Sequence, residues 1–176
     1  CELWSDLTAD DILKLERAHR FCLKTIQRIP SYTSTDITLS LIGSLPLEML
    51  IDEKKLIFLG QLCRLPNDSV IKSLFVYRLV SHQHSASTMH GFIPDILRIC
   101  QRYNLLNFVN IYIQSGLFPE KKLWKHIVLN RLHNTFVGVL KDRLYTGNTE
   151  CFGLICDYTE LRPCFHWTLS RSNYRL

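Results

Sequence analysis

Lys14, Arg17, Arg20, Lys24 and Arg28 recur every three or four residues. In a helix of 3.6 residues per turn that spacing gathers all five on one arc of about 120°. Phe21 falls inside the same arc. Cations in a row hold phosphates without reading base sequence, and a ring among them packs on sugars or bases. Such a face suits nucleic acid. The same pattern also fits a solvated helix surface with Phe21 covered by a neighbouring helix. Between residues 14 and 28 there are five cations and one acid, Glu16, so this segment holds +4 of the chain's formal net charge of +5. Charge gathered in one place makes a local field that attracts polyanions.

Other groupings point less clearly to chemistry. Cys151, Cys156, Cys164 and His166 carry zinc-type donors in the order C-x4-C-x7-C-x-H, but zinc fingers and knuckles use tight C-x2-C pairs. The competing reading is cysteines in the core of a helical tail, and no metal site is expected. His82, His84 and His90 share a polar stretch with no acid or cysteine beside them, and read as exposed loop residues. His19 and Cys22 stand three apart on a helix, close enough for a base and a nucleophile. Both lie on an apolar stripe, so core packing is the expectation. There is no glycine-rich phosphate loop, no aspartate pair for two metals and no H-E-x-x-H. Neither a catalytic centre nor a cofactor is expected. Lys121, Lys122 and Lys125, around Trp124 at a helix start, are either a further anion surface or a wet face with apolar stems. Arg162, Arg171 and Arg175 make the tail mildly basic.

The elements that would position these residues are helices. Ile12, Leu15, Ala18, His19, Cys22, Ile26 and Ile29 recur at helical spacing opposite the cations, and predict the buried side of a helix from Thr8 to Pro30. Ser31–Thr35 is a polar turn, followed by a short helix from Asp36 to Ile42 that stops at Gly43. Pro46 opens a long helix to about Arg64, with Asp52, Glu53, Lys54 and Lys55 as its wet side. Further helices are predicted from Ser69 to about Ser81, from Pro94 to about Tyr103, from about Leu105 to Gln114, and from Pro119 to about Tyr145. The last has apolar residues on most sides and is expected to be central. Ser81–Gly91 is the candidate boundary between two halves.

Composition agrees. The chain has 176 residues, 47% of them hydrophobic and 21% charged, which is the balance of a folded chain rather than a disordered one. Seven irregularly spaced cysteines, with Cys22, Cys63 and Cys100 inside apolar helical patterns, read as buried free thiols in a reducing compartment. No apolar run reaches the ~18 residues that span a bilayer. The chain opens on Cys1 rather than Met, as a segment cut from something longer would.

Cys1-Glu2-Leu3-Trp4, LERAHRFCLKTIQRIP, Thr33-Ser34-Thr35-Asp36 and IDEKKLIFLGQLCRLP together resemble the region just downstream of the polymerase palm in reverse transcriptases of non-LTR retrotransposons. In that family a Tyr-Gly-x-Glu-x-Trp element leads into the helical thumb, and a Leu-Glu-x-x-x-Arg helix follows. Glu2 and Trp4 match the first element, whose Tyr-Gly would precede Cys1. Leu15, Glu16 and Arg20 match the second. The resemblance covers residues 1 to about 82. It extends more weakly to WKHIVLNRL and faintly to LRPCFHWTLS, which is similar to a segment before the terminal zinc-binding region of some members.

The resemblance implies an all-α chain: a thumb-like helical bundle over residues 1–82, a linker at 83–91 and a helical extension over 92–176. It implies an intracellular protein, cytoplasmic or nuclear, that grips an RNA/DNA template–primer duplex through phosphates as part of a longer chain with palm and fingers. Lys14, Arg17, Arg20, Phe21, Lys24 and Arg28 would make the contact. The family's catalytic aspartates lie upstream of Cys1, so the chain is not expected to be an enzyme on its own. The alternative is a helical protein-interaction module, or a decayed retroelement remnant, with no nucleic-acid role.

Overall fold

The computed structural model describes residues 7–84 and 90–146. Every regular element among the described residues is an α-helix: α1 Ala9–Gln27, α2 Thr35–Ile42, α3 Leu47–Cys63, α4 Val70–His84, α5 Phe92–Arg102, α6 Leu106–Ser115 and α7 Lys121–Thr146. The all-α expectation holds. Cys1, Glu2 and Trp4, the tail cluster of Cys151, Cys156, Cys164 and His166, and the tail arginines lie outside the described residues.

Chain contacts group into two compact units. Among the described residues one is built on 49–132, the other on 9–48 with 133–146. The elements on either side of the expected linker at 83–91, α4 and α5, pack on each other within the first unit.

In the unit containing residues 9–48, α1 begins directly after Thr8 with Asp10 and Asp11 in its first turn, where carboxylates favour the helix dipole. It ends three residues before Pro30. Arg28 takes a left-handed φ of 54°, and the Arg28 and Ile29 amides donate back to the carbonyls of Thr25 and Lys24, both at 3.1 Å. The Ser34 hydroxyl caps α2 by accepting from the Asp36 amide, and left-handed Gly43 closes it. Helix α2 packs against α1.

The unit spanning 49–132 has a core of Leu56, Leu59, Ile96, Cys100, Tyr103 and Trp124, with Leu105, Val109, Val128 and Leu132 around it. Helix α5 starts at Phe92, two residues before Pro94. A proline at the third position is tolerated because the first amides of a helix have no intrahelical acceptor. Helix α4 runs three residues beyond Ser81, since nothing in Ser81-His82-Gln83 breaks a helix. His82 and His84 are therefore helical, and His82 is half-buried rather than an exposed loop residue.

Helix α7 is less enclosed than its composition suggests. Trp124, Val128 and Leu132 are buried in one unit, and Phe136, Val137 and Leu140 continue the stripe in the other. Leu123 and Leu129 are exposed.

Cys63 and Cys100 are buried, as their helical pattern predicts, and burial pushes both thiols up from 9.0 to about 12. A thiol that folding holds protonated stabilises the fold below its unfolded pKa, and that stability is lost as pH rises through the folded one. Denaturant midpoints are therefore expected to be level up to about pH 9 and to fall above it. Mass-spectrometric mapping of iodoacetamide adducts on the native protein at pH 8 should find Cys22 alkylated and Cys63 and Cys100 protected. Equal labelling of all three would mean that this core opens freely.

Candidate nucleic-acid interface

Polar bonds, not the count of apolar residues, decide which side of α1 is covered. The buried Glu16 carboxylate accepts the Leu47 amide at 2.7 Å. The buried Gln27 amide donates to the Thr38 carbonyl at 3.2 Å. Glu16, Leu23 and Gln27 thus share the inward side with Ile12 and His19. That side lies roughly a quarter-turn from the predicted stripe, towards the cations. Ala18, Cys22 and Ile26 of the expected stripe are exposed instead, Ile26 to 69%. With Cys22 exposed and His19 half-buried, the pair does not sit in a shared core.

The shift divides the cations. Arg20 stands at the edge of the covered side, its Nε 3.4 Å from Glu16 Oε2. Lys24 is half-buried, and its ammonium donates to the Ser31 carbonyl at 2.6 Å. This ties the turn after α1 back to the helix while leaving two N–H bonds for another acceptor. Lys14 is exposed and pairs with Asp10 at 2.6 Å. That i,i+4 pair is open to water and worth only tenths of a kcal/mol, so a phosphate displaces it at small cost. Arg17 and Arg28 are exposed. Phe21 is 71% exposed, so none of the described helices covers it. Lys14, Arg17, Arg20, Phe21 and Lys24 lie at spacings that share one arc of α1, while Arg28 follows beyond the end of the helix in a left-handed position.

No family model, no curated protein and no solved structure matches the chain.

The other basic cluster loses its ring. Trp124 is fully buried, and its indole N–H donates to the Leu56 carbonyl at 2.8 Å. Lys121, Lys122 and Lys125 remain an exposed basic edge at the start of α7. Among the described residues no three His, Cys, Asp or Glu side chains converge, and no helix is long and apolar enough to cross a membrane.

Sequence reading missed one polar constellation. Asp52 and Lys55, expected on the wet side of α3, are both buried. Lys55 pairs with Asp95 of α5 at 2.6 Å. Asp52 accepts from the Tyr103 hydroxyl at 2.8 Å and from Arg102 at 3.3 Å. Burial, and then the Asp52 charge beside it, raise the Tyr103 pKa and keep the phenol a neutral donor. The available signal was spacing: Asp52 and Lys55 lie three apart, and share a helix face with Leu56 and Leu59.

Proposed function

We propose that this chain is a thumb-like helical piece of a retroelement RNA-directed DNA polymerase, which holds template–primer duplex through phosphates on the basic arc of α1. The observation that carries the reading is Phe21, exposed among the cations at a position where a merely solvated helix face would gain nothing from a ring. Arg28 adds support. It occupies a left-handed position that glycine takes most cheaply, at a strain of about 1 kcal/mol, and its side chain is exposed. The matches at Leu15, Glu16 and Arg20 give the family reading a structural sense, because Glu16 holds both Arg20 and the Leu47 amide. On this reading the chain contributes grip, with palm and fingers supplied by a longer protein in an intracellular setting.

The test is duplex binding against salt. With Arg20 engaged by Glu16, Lys14, Arg17, Lys24 and Arg28 remain, so about four phosphates are neutralised and an RNA–DNA hybrid should show a log–log slope of about −3.6. Arg17→Ala and Lys24→Ala should each weaken binding equally across duplex sequences and flatten the slope by about one. Arg28→Gly relieves the left-handed strain, so it should weaken binding while the fold persists. A flat salt dependence, or wild-type affinity in all three variants, would remove the nucleic-acid role.

A further inference from the structure

Helix α4 carries an apolar face that the described residues leave open. Val70, Ile71, Leu74 and Tyr77 are between 58% and 80% exposed, although Phe75 and Leu79 on the other side of the helix are buried. Ile71, Leu74 and Tyr77 form one wall of a groove of about 490 Å³, and Phe92, Ile93 and Pro94 of α5 form the other. Single exposed apolar residues are ordinary, but four on successive turns of one helix make a contiguous patch of the kind that marks an interaction surface.

Among the described lining residues the groove's one full charge is that of Arg78, beside the polar Ser81, His82 and His90, and none of them is an acid. The whole of α4, VIKSLFVYRLVSHQH, contains no Asp or Glu. The Arg78 guanidinium is exposed. The Nδ1 atom of His82 is buried without a hydrogen-bond partner. An apolar floor with a basic edge complements a partner with apolar anchors and carboxylates. We infer that the groove between α4 and the start of α5 is a docking site for an acidic amphipathic helix of another protein.

Shape and charge set this occupant apart from others. A small ligand needs enclosure, and walls this exposed cannot cover most of one. Nucleic acid needs several phosphate contacts, and the groove offers one arginine. A second copy would meet the patch with the same patch, bringing Arg78 towards Arg78 with no acid between them. A helix laid along α4 spans Val70 to Tyr77, about 10 Å, which matches apolar anchors one and two turns apart.

The probe is a fluorescein-labelled sixteen-residue helical peptide with leucines on one face and glutamates flanking them. A matched peptide carries lysines in place of the glutamates. In anisotropy titrations at physiological salt, the acidic peptide should bind saturably and the basic one about tenfold more weakly or worse. Leu74→Glu and Arg78→Glu should each cost about tenfold, and Arg78→Glu should reverse the preference between the peptides. Both side chains are exposed, so the fold should survive, with unchanged far-ultraviolet circular dichroism as the check. Absence of saturable binding, equal affinity for the two peptides, or indifference to Leu74→Glu would overturn the inference. Displacement of the peptide by RNA–DNA hybrid would also overturn it, as would a dimer in sedimentation velocity that Leu74→Glu abolishes.

Discussion

Gly60→Ala is expected to lower the melting temperature by about 5–10 °C, a loss of about 2–3 kcal/mol for a chain of this size. Helix propensity points the other way, since alanine inside a helix gains about 1 kcal/mol over glycine. Space decides the sign. A Cβ on Gly60 would stand 2.4 Å from Trp124 Cδ1 and 2.6 Å from Nε1. The indole cannot move aside freely. Its N–H is bonded to the Leu56 carbonyl one turn earlier on α3, and its ring is held edge-on by Phe108 and Phe118 at centroid distances of 5.6 and 4.7 Å. Shifting it would leave a buried N–H without an acceptor, which costs about 1–3 kcal/mol beyond the overpacking. Gly138→Ala is the control, because a Cβ there meets nothing within 4 Å. It should stabilise by about 0.5–1 kcal/mol. Thermal melts of the two variants, with tryptophan emission followed in a Trp4→Phe, Trp167→Phe background, check the pair. Equal stabilisation in both would show that Trp124 is not held against α3.

The same contact shows what could be read in advance and what could not. Helix ends are written locally, in Gly43, Gly116, Asn104 and the Ser34 hydroxyl, and these capping residues predict the boundaries to within a few residues. Which side of a helix is covered is decided by partners far along the chain. The predicted stripe of α1 weighted Cys22 and Ile26 by apolarity, but Thr38 and Leu47 hold Gln27 and Glu16, and those bonds set the covered side. Trp124 reads as a surface ring among lysines until a glycine 64 residues earlier provides the flat place where it lies. The arc of cations from Lys14 to Lys24 follows from spacing within one helix, whereas Arg28 falls past its end, where the chain turns left-handed. The shares of Arg20 and Lys24 in that arc were hidden, since both turn towards acceptors at its edge.

Removing the Asp52 carboxylate is expected to have an effect of similar size for a different reason. Asp52→Ala should cost about 2–4 kcal/mol, because it strips a buried phenol of its acceptor and breaks a buried charge contact together. The lower part of that range reflects Arg102, whose side chain is 45% exposed and can turn to water once freed. Tyr103→Phe removes only the donor, leaves Asp52 facing Arg102, and should cost about 1 kcal/mol. In a double-mutant cycle the two should be coupled by about 1–2 kcal/mol, and additive losses would mean that the 2.8 Å contact contributes little. The contact also fixes how α3 and α5 meet. From Asp52 to Lys55, α3 runs acid then base, and it faces α5 from Arg102 back to Asp95, so the helices lie antiparallel with each charge opposite its complement. Reversing one helix would set Asp52 against Asp95 and Lys55 against Arg102, like charge against like. Exchanging the second pair as Lys55→Asp with Asp95→Lys should therefore restore most of the stability that Lys55→Asp alone destroys, and urea unfolding of the three proteins measures it directly.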